Sequence, residues 1–368
     1  MDFTPTEAAG DLTGLTTDIT ARVAPPEHTA QLEADRAPID ADLWREVASA
    51  GLLGLAAPSA VAGDSGADLT TLETTAVATV LGRALARLPY PQHAVAAVPL
   101  LAEHGGDALR DLLGKAVVGD AVISAAVEED LGFDVLVPST TVSPNGRVTG
   151  TKVNVPYADA ADALLVIAAS TDGPVVVVVE DGPGVTVAET RSTGLSPVYS
   201  VAFDDAAGTV LGGGAATAAH ARDLLRLGVA ADQSGVVAGA LATTAEYARE
   251  REQFGRKIGS FQAVAQRLAD AYIDAQALEL TVAQAAWLLS GAADTDAAEA
   301  TSAVHTAAFW AADAGHRVAH TAVHVHGGVG LDTSHPVHRF FLRAKQNEFT
   351  YGSAPVALGD LGAALADR

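Results

Sequence analysis

The sequence predicts a three-part chain, helical, then β, then helical again, and three observations carry that prediction. Residues from Thr6 to about Val118 are Ala-rich, with apolar side chains at helical spacing, acidic starts and Gly or Pro stops. Between Gly119 and about Gly214 the texture changes to short apolar runs, AVISAAV, GRVTGTKVNV, ADALLVIAA, VVVVVE and VTVAE, parted by turn clusters such as SPNG, STDGP and DGPG. From Ala215 the helical period returns, with two long patterns at about Ala221 to Phe254 and Ser260 to Leu289. The expected parts are residues 1–118, 119–214 and 215–368.

In the first part, LWREVASAGLLGLAAP is the clearest helix: Leu43, Trp44, Val47 and Ala48 share a face, and Gly51 then ends it. In the second, SPNG before GRVTG reads as a hairpin turn, because Asn145 and Gly146 tolerate positive φ. In the third, ATTAEYAREREQFG continues an amphipathic helix, with Gly255 placed for a left-handed cap and Arg256 and Lys257 beside the negative helix end. Trp44, Trp287 and Trp310 lie in apolar helical patterns and are expected in the core, whereas Arg339, Arg343 and Lys345 read as charge on a helix surface.

Composition narrows the function. With 368 residues, 49% hydrophobic and a mean hydropathy of +0.24, the chain can bury two or three cores. A net charge of −23 excludes nucleic acid, whose binding is driven by clustered Lys and Arg releasing counterions. Without cysteine there is no disulfide, thiol nucleophile or thiolate metal site. No run approaches a membrane span, and MDFTPTEAAGDL lacks a basic region followed by an apolar stretch, so a cytoplasmic protein is expected. His316, His320 and His324 recur every four residues, a spacing that brings imidazoles to one face, but no HExxH carboxylate accompanies them and no metal is expected. No G-x-S-x-G elbow is present.

The motif REQFGRKIGSFQ, Arg251 to Gln262, is richer. A structural role suffices for Gly255 and its two basic neighbours, whereas Arg251 can fork onto a phosphate while Phe254 offers an apolar face to a purine. In HVHGGVG, Gly327 and Gly328 let backbone come close to a ligand.

Taken together, R-x-x-F-G, F-Q seven residues after the Phe, x-x-x-G-G-x-G, and H-P-V-x-R-F-x-x-x-A-K near the end resemble the acyl-CoA dehydrogenases. The likeness covers nearly the whole chain, including the opening MDF and LWREVASAGLLGL. It implies an N-terminal all-α domain, a central β-barrel-like domain and a C-terminal four-helix bundle, assembled as tetramers with FAD at a dimer interface. The flavin ring would be held mainly by one subunit, and the adenosine and pyrophosphate end by its neighbour, through positions matching Arg251, Gln253, Phe254, Ile258, Phe261, Val264, His324, Gly327 and Gly328. An acyl-CoA thioester substrate and an electron-transferring flavoprotein as acceptor follow from the same resemblance.

Two features depart from that pattern. Where the family carries a T-E-P-x-A-G-S-D-like loop and a K-x-W-I-[TS]-N strand, this chain has AAVEEDLGFD and KVNVPYAD, so Asn154 replaces the ring-contacting Trp and Pro156 the hydroxyl residue. Family catalysis needs a carboxylate to take the substrate α-proton while a hydride passes to flavin. One location for it corresponds to Tyr351, and the other, 29 residues ahead of Phe254, to Leu225. No catalytic residue is therefore assigned. The chain is most similar to the non-catalytic partner subunit of the heterotetrameric, α2β2 acyl-CoA dehydrogenases that actinobacteria use on steroid side-chain CoA thioesters. A self-sufficient homotetramer using Glu348 as a displaced base, and a flavin-free structural subunit, are the alternatives.

Overall fold

Helix caps set the N-terminal elements, in the computed structural model, which describes residues 3–132, 134–291 and 296–366. Met1 and Asp2 of the opening motif and Phe133 of the AAVEEDLGFD loop lie outside the described residues. Helix α1 (Glu7–Val23) starts at Thr6, whose hydroxyl accepts the Ala9 N–H at 3.0 Å, and α2 (Pro26–Ala34) starts at a proline. Asp40 caps α3 (Ala41–Ser49), which buries Leu43, Trp44 and Val47 before Gly51 turns at φ 73°. A single turn, α4 (Ser59–Ala62), precedes α5 (Thr71–Arg83), which opens with a Thr70–Glu73 capping box. Pro91–Ala97 winds as a π-helix into α6 (Val98–His104), and α7 (Arg110–Val118) ends at Gly119, left-handed at φ 83°.

The β elements form one mixed sheet. Its strands are β1 (Ile123–Ala126), β2 (Thr141–Val142), β3 (Arg147–Pro156), β4 (Ala163–Ser170), β5 (Gly173–Glu180), β6 (Val185–Thr190), β7 (Val198–Ala207) and β8 (Thr209–Val210). They run in the order β6-β7-β3-β2-β4-β5-β8, with β1 parallel to β4. The predicted SPNG hairpin joins β2 to β3, with Gly146 at φ 76° donating to the Ser143 carbonyl at 2.9 Å. Strands β4 and β5 are buried on both faces, so they read as unbroken apolar runs. Leu165, Ile167, Val176 and Val178 share an apolar cluster with the surrounding helices, while Leu164, Val166, Val177 and Val179 face the inside of the curled sheet.

Helix α8 (Gly214–Glu250) then runs 37 residues, followed by α9 (Gln262–Leu289), α10 (Ala297–His326), α11 (Val337–Asn347) and α12 (Ala354–Ala366). Leu227, Val236, Leu278, Val282, Val304 and Val318 join α8, α9 and α10 into the bundle core. This is the helix, sheet, helix order that the sequence predicts. Trp44 is buried there, and Trp287 and Trp310 are packed against the same core.

Two expectations are corrected. Helix α8 stops at Glu250, not Phe254: the chain turns back as a hairpin of β9 (Glu252–Gln253) and β10 (Arg256–Lys257). Gly255 is indeed left-handed at φ 77°, but as the second residue of a two-residue turn whose first is Phe254 at φ 53°, the positive-φ pair of a type I′ hairpin. Phenylalanine is an unfavourable residue for such a turn, which is why the sequence signal pointed to a cap. Likewise Arg339 and Arg343 are buried, not surface charge. Arg343 donates from Nε and Nη2 to both oxygens of buried Asp232 at 3.0 and 2.9 Å, and Arg339 bonds Glu33 at 2.9 Å. Their partners lie 111 and 306 residues away, beyond any local pattern.

Helix α8 seats against α5 by backbone contact. A Cβ built on Gly235 would stand 1.9 Å from the Thr79 carbonyl oxygen, and one on Gly82 2.1 Å from that of Asp232. Gly235→Ala should therefore destabilise the protein by about 3 kcal/mol in denaturant unfolding, because overpacking here meets backbone that cannot rotate away. Gly114→Ala, in α7 with open space around it, should be neutral or stabilising.

Candidate functional site

The Arg251–Val264 segment forms an arm on the protein surface. Its hairpin is held at the base: the Ile258 N–H donates to the Arg251 carbonyl at 2.9 Å and Lys257 Nζ to the Glu250 carbonyl at 2.9 Å. Ile258 is buried with Ala248 and Val325, and Phe261 and Val264 pack partly buried against that cluster. The tip faces outward. Phe254 is 92% exposed, touching Phe261 edge-on with centroids 6.1 Å apart, while Arg256 lies 4.1 Å over the Phe261 ring. Arg251 and Gln253 are exposed too, and the Arg251 guanidinium has no hydrogen-bond or ion-pair partner among the described residues. An exposed aromatic held at positive φ costs of order 1–3 kcal/mol, a strain that clusters at ligand clamps.

The glycine turn adjoins this arm. Gly327 ends α10 at φ 61°, ψ −134°, a conformation for glycine alone, and nothing lies within 4 Å of a Cβ built on Gly327 or Gly328. His324 is exposed one turn earlier. These residues meet because Val325 and Ile258 share one apolar cluster. Such a surface, with open backbone, an unpaired guanidinium and an apolar ring, can take the phosphate and purine of a dinucleotide.

Beneath the turn lies a stack that the motifs did not reveal. Tyr247 and His326 are stacked with centroids 4.2 Å apart, and His335 lies 5.2 Å from His326. Buried His326 donates from Nδ1 to the Ala322 carbonyl at 2.8 Å, leaving Nε2 without a partner, and burial lowers its pKa. The only sequence trace was the second His of HVHGG and the His before Pro336.

The positions expected to carry a base come together in the interior. Leu225 and Tyr351 belong to one apolar cluster and are 1% and 4% exposed. The Tyr351 hydroxyl accepts from Gln92 Nε2 at 3.0 Å, its carbonyl from Arg226 Nε at 3.0 Å, and its N–H donates to Glu128 Oε1 at 2.5 Å. Burial pushes the Tyr351 phenol far above its ordinary range, so it stays protonated. Arg226 also reaches Asp360 and His305, whose pKa falls to about 4 through burial and then the Arg226 charge.

The strand that would face a flavin ring is distorted where the sequence departs from the family pattern. Its pairing with β7 slips between Lys152 and Val155, and Asn154 is left-handed at φ 53°. The Asn154 side chain hydrogen-bonds Glu128, and Tyr157, also left-handed, receives a bond from Arg343 Nη1 at 3.3 Å. Further out, Lys152, fully buried, reaches Glu129 at 2.7 Å and ties down the loop after β1. Glu348 accepts from Lys345 Nζ at 2.6 Å and lies 3.2 Å from His316; neither partner belongs to the Tyr351 cluster. His316 and His320 are exposed with ring centroids 4.4 Å apart, and the described residues contain no group of three or more potential ligands placed to hold a metal.

Burial raises the Glu128 carboxyl to about 7, against the pull of Asn154, the Tyr351 N–H and Arg226. The folded-state pKa is thus above that of the unfolded chain, so stability is fully present below about pH 4.5 and is lost as pH rises through about 7. Glu128→Gln should remove that loss, raising stability on the order of 2 kcal/mol at pH 8 and little at pH 4.5, measured by urea unfolding at both pH values.

Known proteins share this architecture. Residues 14–119 match the acyl-CoA dehydrogenase N-terminal domain and residues 212–366 its C-terminal domain. The chain is 46% identical to the acyl-CoA dehydrogenase FadE27 of Mycobacterium tuberculosis, over 100% of this chain and 99% of that protein. It superposes with a TM-score of 0.91 on a chain of the ChsE4-ChsE5 complex from Mycobacterium tuberculosis, at 45% identity and 100% coverage of both. It superposes equally, with a TM-score of 0.91, on a chain of the Tcur3481-Tcur3483 steroid ACAD, at 37% identity and 98% coverage of both.

Proposed function

The chain belongs to the acyl-CoA dehydrogenase family, and on that premise we propose that it completes the FAD site of a catalytic partner subunit in an α2β2 acyl-CoA dehydrogenase. One observation carries this reading: the arm lies open on the surface with the Arg251 guanidinium unpaired among the described residues, while Tyr351, at the position that the resemblance gives to the base, is buried and bonded to Gln92. When bound, FAD accepts the hydride that leaves the acyl β-carbon. This chain's residues hold its far end. Arg251 takes a phosphate, Phe254 covers the purine, Gln253 and His324 offer hydrogen bonds, and Gly327 and Gly328 admit the ligand to backbone. Ile258, Phe261 and Val264 floor the site.

The ring half does not fit this subunit. Asn154 and Tyr157 in left-handed backbone, the slipped β3–β7 pairing and the Tyr351–Gln92 contact occupy the region where a ring would need flat strand and open space. The α-proton then passes to a base in the partner, and the substrate is the CoA thioester of a steroid side chain. Support for both comes from the relatives, one solved as a two-protein complex and one named a steroid enzyme. An electron-transferring flavoprotein as acceptor, the boundaries 1–118, 119–214 and 215–368, and a cytoplasmic setting belong to the same reading; no described helix is long and apolar enough to cross a membrane.

A second reading rests on Glu128. A carboxyl poised near 7 beside Tyr351 has the proton affinity of a general base and would let the chain act alone. Both readings are decided by visible absorption. Purified alone, the chain should carry no flavin, and co-expressed with its partner dehydrogenase it should carry one FAD per heterodimer; full flavin in the lone chain would favour Glu128. In the co-expressed complex, Arg251→Ala should weaken FAD retention at least tenfold, since a charge-assisted bond to phosphate contributes about 1.5–3 kcal/mol, and Glu128→Gln should leave turnover unchanged.

A further inference from the structure

Tyr247, His326 and His335 form a set of three rings where the arm and the glycine turn meet. Tyr247 and His326 stack with centroids 4.2 Å apart, while His335 lies 5.2 Å from His326 and meets Tyr247 edge-on at 6.3 Å. Each ring belongs to a different part of the site. The Tyr247 carbonyl accepts the Arg251 N–H at 2.9 Å, so this residue closes α8 where the arm begins. His326 is the last residue of α10, and its peptide leads into Gly327. The turn that follows is pressed onto α10, since a Cβ built on Gly330 would stand 2.8 Å from the Val323 carbonyl oxygen. His335 is fixed from the side of α11: its Nδ1 accepts the Val337 N–H at 3.3 Å, and its carbonyl accepts from His338 Nδ1 at 2.6 Å.

The middle ring has one protonation state that fits. His326 is 3% exposed, and its Nδ1 carries the proton donated to the Ala322 carbonyl, so Nε2 holds a lone pair that nothing among the described residues bonds. A bare lone pair there is tolerable, whereas a second proton would bury a cation with no acceptor. The groups that face His326 supply no countercharge. From α8 it meets the Tyr247 ring, from the loop before α11 it meets His335, whose charge would repel, and the neighbouring Val325 packs on apolar Ile258 of the arm. The nearby carboxylate of Asp332 lies by His335 and His338.

We infer that Tyr247 and His326 are positioning residues, whose stack sets the spacing between Arg251 and the Gly327–Gly328 backbone only while His326 is neutral. The inference rests on the proposed role of the arm and turn in holding FAD, and adds the device that keeps the two at a fixed separation. Burial lowers the His326 pKa from its ordinary 6.5, so the closed stack stays neutral at a pH where an opened turn already takes up a proton. Its contribution is whole above about pH 6.5 and is lost as pH falls from there through the lowered folded value, by up to about tenfold per pH unit.

The test is hydrogen exchange of the full chain, followed by mass spectrometry and expressed as protection factors, which remove the intrinsic pH dependence of exchange. Protection over Gly327–Leu331 should fall about three- to tenfold between about pH 7.5 and about pH 5.5 while that of α5 stays constant. His326→Phe keeps a ring on Tyr247 and cannot be protonated, so it should abolish the step. Tyr247→Leu should lower protection roughly fivefold at both pH values, the worth of one aromatic pair, and Tyr247→Phe should restore it. In the complex co-expressed with its partner, FAD leaves through the opened turn, so its release should quicken by the same factor at the lower pH, and His326→Phe should flatten that profile. The inference is overturned if the native chain shows no step in protection, or if His326→Phe retains it. A step in protection with FAD release unchanged would instead overturn the cofactor role of the turn, which separates the two failures.

Discussion

Helix α8 can pass only where glycine lets it. At Gly235 and Gly82 its backbone meets that of α5 with no room for a methyl group, at Gly228 it meets Pro91 at the start of the π-helix, and at Gly239 the ring of Phe340. These contacts fix both the height and the rotation of a 37-residue helix, and each functional layer hangs from it. Leu225 and Arg226 face Tyr351, Asp232 meets Arg343, and Tyr247 supports the turn after α10. A rotation of α8 by one residue would misplace all three at once.

Along that axis the chemistry divides. At one end the interior is closed, with tyrosine, glutamine, arginine and glutamate bonded to one another and Gln92 Oε1 left without a partner among the described residues. At the other end, the ring of Phe254 is exposed and the Arg251 guanidinium has no partner among the described residues, on a hairpin with a non-glycine residue at positive φ. A folded chain has no energetic reason to keep Phe254 exposed at positive φ unless something else covers it, and none to bury Glu128 beside Tyr351 for its own stability. Both costs fit the proposal of a site divided between two subunits.

The buried ion pairs serve a different end. Arg343 with Asp232 joins α11 to α8, and Asn347 adds a bond to the same carboxylate at 2.6 Å. Lys152 with Glu129 ties the loop after β1 to β3. Pairs of this kind contribute little net stability over apolar packing, yet they admit one arrangement only, because a misplaced partner leaves a buried charge uncompensated. They hold the β sheet and the C-terminal helices in register around the closed cluster.

The sequence by itself determined the order helix, sheet, helix, the face of α3, the SPNG hairpin and the motifs of the arm and the glycine turn. Each is a local signal, written in spacing or turn chemistry over a few residues. The resemblance also implied that the two base positions hold Leu225 and Tyr351. What the tertiary structure alone decided was everything that depends on distant partners. Phe254 turned from a helix end into a hairpin tip, Arg339 and Arg343 from surface charges into buried anchors, and His326, Glu128 and Gln92 from unremarked residues into the supports of the arm and the closed cluster. The reason is physical: pairing and burial are set by which helices meet, and here that is dictated by glycines whose role becomes visible only when two backbones touch.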